Sequence, residues 1–246
     1  MSIELLQQKI ERPTLQEESV IDEEVVTPYT RRLVTTFEGP ITPAPLLTLS
    51  DEEAVKNYAS RFRDNIKKAH NLFRNPDNEL ALQLEYQELN AKYSIDKYTK
   101  ELPICIVAPG RNFLKTGMYV HLFESINNQN YSNYRLFLTD DASTDGSYLA
   151  LKKKIQEFPR LRARATLIKN YEHVGALGNK YLTVTHHCRE GSIVFDIDAD
   201  DSLIGRQSMK LMNALYQSTD NWFIYSNFIY EERKQIRLGI SKPIEP

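Results

Sequence analysis

From Pro103 onward, short apolar runs alternate with segments of helical period, an order that few folds accommodate. The runs are PICIVAP (103–109), YRLFLTD (134–140), Arg164–Lys169, SIVFDID (192–198) and WFIYS (222–226). Each is short and rich in β-branched or aromatic residues, as expected of buried strands. Helices are expected between them, through about 128, then near 145–157, 176–188 and 205–217. The alternation implies an α/β fold, a mostly parallel Rossmann-like sheet with right-handed crossovers and flanking helices. Ligands on such sheets sit beyond the carboxyl ends of the strands.

Three of those ends are polar. The first strand runs into Pro109-Gly110-Arg111-Asn112 and the second into Asp140-Asp141, opening DDASTDGS. The fourth runs into Asp198-Ala199-Asp200-Asp201, with Asp196 just before. Two carboxylates about 6 Å apart repel by roughly 2–3 kcal/mol at an effective dielectric near 20. A divalent cation would relieve that repulsion; a solvated acidic turn is the plain alternative. Asp141 could accept from the imide N–H of a pyrimidine ring, while Ser143 and Thr144 suit a turn and a helix cap. Neither acidic cluster is an EF-hand, because the sixth and twelfth loop positions do not hold Gly and Glu together.

Gly175-Ala-Leu-Gly-Asn179-Lys180 opens the third helix. Its small residues would let a diphosphate approach backbone N–H groups at a helix N-terminus, and close helix–sheet packing explains them equally well. The Walker and dinucleotide spacings are absent. His186-His187-Cys188 reads as a helix C-terminus where imidazoles suit the dipole, not as a metal cluster.

The first hundred residues have a different texture. Residues 1–49 are polar and proline-containing, and read as an extended or disordered arm. Ser50-Asp51-Glu52-Glu53 is a capping-box signature, and apolar residues at helical spacing follow it through Phe73. A second helix is expected near 78–98. The pair, residues 50–101, would pack on the following domain (102–246) or, through 51–98, on a protein partner.

Charge and composition exclude several classes. Residues 1–101 carry 18 acidic and 13 basic side chains, and the remainder 15 and 18. Such a mild basic excess, without a basic stripe, is no nucleic-acid footprint. There is no apolar stretch of transmembrane length. Two cysteines, Cys105 and Cys188, give no disulfide framework, so a reducing, cytoplasmic setting is the expectation.

Taken together, PICIVAPGRN, SINNQNYSNYRLFLTDDASTDGS, VGALGN and FDIDADD resemble the nucleotide-binding half of a GT-A-fold glycosyltransferase of the family 2 type. The resemblance covers about residues 103–230. Gly175-Ala-Leu-Gly-Asn179, with Met212-Asn213-Ala-Leu-Tyr216 and Trp222-Phe-Ile-Tyr225, is similar to a GALxN-type subgroup. It implies that Asp140 and Asp141 hold the uracil end of a UDP-sugar, with Pro109 and Arg111 lining the base and Gly175 and Asn179 near the nucleotide. It implies that Asp198 and Asp200, as a DXD motif, bind Mn²⁺ or Mg²⁺ bridging the phosphates, with Asp201 toward the donor sugar. It further implies inverting transfer to a sugar, lipid or protein acceptor. The family takes its general base from an Asp or Glu well after the DXD; Glu231 and Glu232 come too soon after the fifth strand, and the acceptor half is not evident. Two other readings stay open: a non-catalytic nucleotide-sugar-binding scaffold, and a sugar nucleotidyltransferase.

Overall fold

The computed structural model describes residues 20–26, 31–37, 79–226, 228–232 and 235–239. The helix expected over 51–73 lies outside these residues. One six-stranded sheet organises the fold. Its strands are β1 (Val20–Val26), β2 (Arg31–Phe37), β3 (Ile104–Gly110), β4 (Tyr134–Asp140), β5 (Ala165–Asn170) and β6 (Ile193–Asp196), in the spatial order β1-β2-β5-β4-β3-β6. The four strands β5, β4, β3 and β6 are parallel, and β1 and β2 join antiparallel at one edge. A separate hairpin pairs β7 (Phe228–Glu232) with β8 (Gln235–Gly239).

The helices are α1 (Glu79–Tyr93), α2 (Tyr119–Asn127), α3 (Ser147–Ile155), the single turn α4 (Pro159–Arg162), α5 (Ala176–His187) and α6 (Ser208–Ser218). Strand side chains alternate between faces, so each central strand feeds two cores. Ile104, Ile106, Leu136, Leu138 and Leu167 pack with Leu122, Phe123 and Ile126 of α2, Leu151 and Ile155 of α3, and Met209 of α6. Cys105, Val107, Phe137 and Ile168 look the other way, with Val34, toward Val184 and Cys188 at α5.

The run SINNQNY serves as scaffold here. Gln129 Nε2 donates to the carbonyls of Ser125 (3.0 Å) and Gly205 (2.8 Å), and its Oε1 accepts Met209 N–H at 3.2 Å. The Tyr131 hydroxyl donates to Leu102 C=O at 2.6 Å. Arg160 donates to the carbonyls of Asn127 and Gln129 at 2.6 Å each, satisfying acceptors that the end of α2 leaves open. Asn213 accepts Leu102 N–H at 3.0 Å and donates to the carbonyls of Tyr98 and Lys100. The Gln129 bonds fix the segment after β6 against the end of α2, and the Asn213 bonds fix α6 against residues 98–102.

Several expectations need correction. Within the arm expected over 1–49, Val20–Val26 and Arg31–Phe37 are strands of the main sheet. The acidic run Asp22-Glu23-Glu24 masks β1, which lies at an edge where polar side chains reach water. The helix near 78–98 stops at Tyr93, because Ser94 takes a left-handed conformation (φ 51°) before a short 3₁₀ turn. SIVFDID is not buried on both faces: β6 is the other edge, with Ile193 and Phe195 inside and Val194 and Asp196 outside. WFIYS forms no strand; residues 222–226 are irregular, and Trp222 is 91% exposed.

Cys105 and Cys188 are joined in a disulfide that ties β3 to the end of α5. The argument from free thiols to a reducing compartment therefore loses its ground. His187 also departs from the dipole reading. Burial first, then the nearby positive Arg32 and His186, lowers its pKa to about 4, and the ring stacks on Phe137 with centroids 5.5 Å apart.

Candidate nucleotide-sugar site

The carboxyl ends of β4, β3 and β6 lie side by side, and Gly110 joins them. Its carbonyl accepts Asp141 N–H at 2.9 Å. On its other side, a Cβ built on Gly110 would lie 2.9 Å from the Cβ of Ala199. Ala199 is buried while Asp198, Asp200 and Asp201 are exposed, so the DXD segment anchors by its small residue and presents its carboxylates outward. A second tie spans the loops after β3 and β4. Asn112 N–H donates to Ser143 Oγ at 2.8 Å, and Asn112 Oδ1 accepts Thr144 N–H at 3.1 Å.

Asp140 and Asp141 part company at the strand end. Asp140 is completely buried, and its Oδ1 accepts Ser143 N–H at 3.2 Å while Oδ2 has no partner among the described residues. Burial raises its pKa against the hydrogen bonds from Ser143. Asp141 points toward the start of α5. Oδ1 accepts from Asn170 Nδ2 at 2.7 Å and Val174 N–H at 2.9 Å; Oδ2 accepts from Gly175 N–H at 2.8 Å and sits 2.6 Å from His173 Nδ1. Burial pushes the Asp141 pKa up, but the donors from Val174, Asn170 and Gly175 win and hold it at about 2. This carboxylate is thus an anion already seated at a helix N-terminus.

Asn179, expected near the nucleotide, is fully buried. Its Nδ2 donates to Gly175 C=O at 2.9 Å, and its Oδ1 accepts from Asn170 at 2.7 Å and Arg32 at 3.0 Å. Pro109 is buried in β3 and Arg111 is exposed just beyond it. Among the expected residues, the structure brings Gly110's neighbours, Asp141, Gly175 and the Asp198 segment to one end of α5. Asp140 faces the α3 side of the sheet, with Ser143.

The acidic segment also meets α5. Lys180 Nζ lies 2.7 Å from Asp196 Oδ1 and 3.1 Å from Asp198 Oδ1. Burial, together with the charges of Asp200 and Asp198, raises the Asp201 pKa. One lysine therefore serves an exposed cluster of four carboxylates.

Residues 120–239 match the family model described as Glycosyl transferase family 2. The match takes in just under half of the 246 residues. Among solved structures, the chain is similar to Staphylococcus aureus TarS 1–349, at 20% identity and TM-score 0.39 over 48% of this chain and 33% of that one. The same protein in complex with UDP-GlcNAc gives 18% identity and TM-score 0.38 over 48% and 32%. The mannosyltransferase PcManGT from Pyrobaculum calidifontis, in complex with GDP-Man and Mn²⁺, gives 19% identity and TM-score 0.42 over 61% and 44%. The chain thus spans under half the length of these proteins. A search of curated proteins returned no match.

The carboxylates that follow β6 are hard oxygen donors of the kind a divalent ion takes. Among the described residues no three His, Cys, Asp or Glu side chains converge as a closed site. Mg²⁺-type sites commonly use one or two carboxylates, leaving the remaining positions to water and substrate phosphates. Asp198 and Asp200 are the carboxylates that would be open to such an ion, and Lys180 Nζ lies 3.1 Å from the first of them. Sequence reasoning missed Arg32, His173 and Lys180, each of which touches a site residue. Only Lys180 carried a signal, lying one turn after Gly175–Gly178 on the helix opposite the DXD.

Proposed function

We propose that this transferase domain binds a nucleotide-sugar, UDP-linked, at the junction of β4, β6 and α5, and transfers the sugar with inversion. The observation that carries the reading is the convergence of Asp141 and Asp198 on the first two turns of α5, through Gly175 and Lys180. His173 is exposed and holds the outermost acceptor site of Asp141. A base imide N–H is a donor of the same kind and would take its place. Asp140, by its location on the other side of β4, acts from behind by holding the Ser143 turn.

Toward the diphosphate, the N–H groups of Ala176 and Leu177 at the start of α5 supply the positive end of the helix. Asp198 and Asp200 would hold Mn²⁺ or Mg²⁺, which when bound stabilises charge developing on the leaving diphosphate. Lys180 would then move from Asp198 toward the phosphates as a second positive group. Asp201, its proton held longer than usual, would accept or share a hydrogen bond with the donor sugar.

The test is release of UDP from UDP-sugars in the presence of Mn²⁺ and a panel of sugar, lipid and peptide acceptors. Acceptor-dependent UDP release with an inverted anomeric centre in the product supports the proposal. Release of pyrophosphate from a nucleoside triphosphate instead would replace it with nucleotidyl transfer.

A further inference from the structure

We propose that Arg32, from the N-terminal strand β2, is a positioning residue for the nucleotide site. It acts through Asn179, Asn170 and Asp141 on the backbone of Val174 and Gly175, and its link to nucleotide rests on the function proposed above. Arg32 is 1% exposed and lies directly across from Asn170 in the β2–β5 ladder. Its Nη2 donates at 3.0 Å to Asn179 Oδ1, the same oxygen that accepts Asn170 Nδ2 at 2.7 Å. The Asn170 amide also donates to Asp141 Oδ1 at 2.7 Å. Asp141 holds the Val174 and Gly175 N–H groups, and Asn179 Nδ2 holds the Gly175 carbonyl.

Both polar groups of Gly175 are therefore set by a chain of side chains that begins at Arg32. Gly175 stands at φ 85°, in the conformation that turns the chain into α5. The arrangement has the character of a counter-charge. Asp141 is 3% exposed and must stay ionised to hold two backbone donors. His173, which also touches it, is mostly in water and exchangeable. Arg32 is the buried cation on the other side of the amide pair; burial lowers its pKa, and the charge of Asp141 works against that loss. Arg32 Nε and Nη1 have no hydrogen-bond partner among the described residues, and neither has Asn170 Oδ1. Burying a cation with so few partners is costly unless an anion lies close by, which makes Asp141 and Arg32 a pair linked through the two amides.

Amide hydrogen exchange of the full chain, without ligand, reads this network directly. In Arg32→Met, exchange at the Val174 and Gly175 amides should quicken by about tenfold or more, while Leu138 in β4 keeps its protection. Arg32→Lys, which keeps charge but not the planar fork, should fall between. With UDP and Mn²⁺ as the probe, Arg32→Met should weaken binding by a similar factor, and Arg32→Lys should restore part of it. Unchanged Val174 and Gly175 exchange in Arg32→Met overturns the inference whatever UDP does. Loss of protection at Leu138 in both variants overturns it too, by making Arg32 a general support of the fold. Faster Val174 and Gly175 exchange in Arg32→Met, in a protein whose wild-type chain binds no UDP, overturns the functional reading and Arg32's link to nucleotide with it, by a different readout.

Discussion

Gly110 faces Ala199 with so little room that an added Cβ would sit 2.9 Å from the Ala199 Cβ and 2.6 Å from the Phe113 ring. The first strand end and the DXD segment are therefore in contact through a pair of minimal residues. Gly110→Ala should destabilise the chain by about 1–3 kcal/mol, the usual cost of overpacking a tight contact. Denaturant unfolding measures it, and an unchanged midpoint would show that the segment around Ala199 gives way freely.

On the function proposed above, Lys180 competes with the metal for Asp198, so its removal should help a metal to bind. Lys180→Met is expected to tighten Mn²⁺ binding in the absence of nucleotide by a few-fold at most, because half-exposed ion pairs are worth only about 0–1 kcal/mol. The same variant should bind UDP with Mn²⁺ more weakly. Calorimetry with Mn²⁺ alone, then with UDP, separates the two effects. Weaker Mn²⁺ binding without nucleotide would contradict the competition between lysine and metal.

Glu85 of α1 accepts the Arg206 N–H at 3.1 Å in the segment that follows the DXD. Burial, with a smaller push from Glu88, raises its pKa to about 7 against the backbone donors of Arg206 and Gln207. The folded state thus keeps this proton over a range in which the unfolded chain has lost it. Stability from this group is fully present below about pH 4.5 and declines by roughly 3 kcal/mol as pH rises through 7. Glu85→Gln should flatten that slope in denaturant melts between pH 5 and 8. A slope of the same size in the variant would place the titration elsewhere.

The Cys105–Cys188 disulfide closes a long loop, with 83 residues of sequence separation, across the β3–α5 contact. Reduction, or Cys188→Ala, should cost about 2–4 kcal/mol. Melting with and without a reductant checks it, and identical curves would mean that the two sulfurs are not bonded in solution.

What the sequence showed, and what it hid, follows from how local each signal is. YRLFLTD coincides with β4 because its apolar run ends at a polar residue on each side, and both faces of a central strand are buried. The polar strand ends were legible for the same reason, since Asp141 and Asp198 directly follow apolar runs. WFIYS carried the same composition without the burial, and composition alone does not distinguish an exposed aromatic run from a strand. β1 and β2 were hidden by the acidic residues that an edge tolerates. The roles of Asn179 and Arg32 were beyond reach, because 147 residues separate the two and only the β2–β5 register brings them together. The disulfide was equally non-local.

Calorimetric titration of UDP into the full chain, once with Mn²⁺ and once with EDTA, tests the central claim most directly. The account expects Mn²⁺-dependent binding that is lost in Asp198→Ala/Asp200→Ala. Equal binding with and without the metal, or unchanged binding in that double variant, would contradict it.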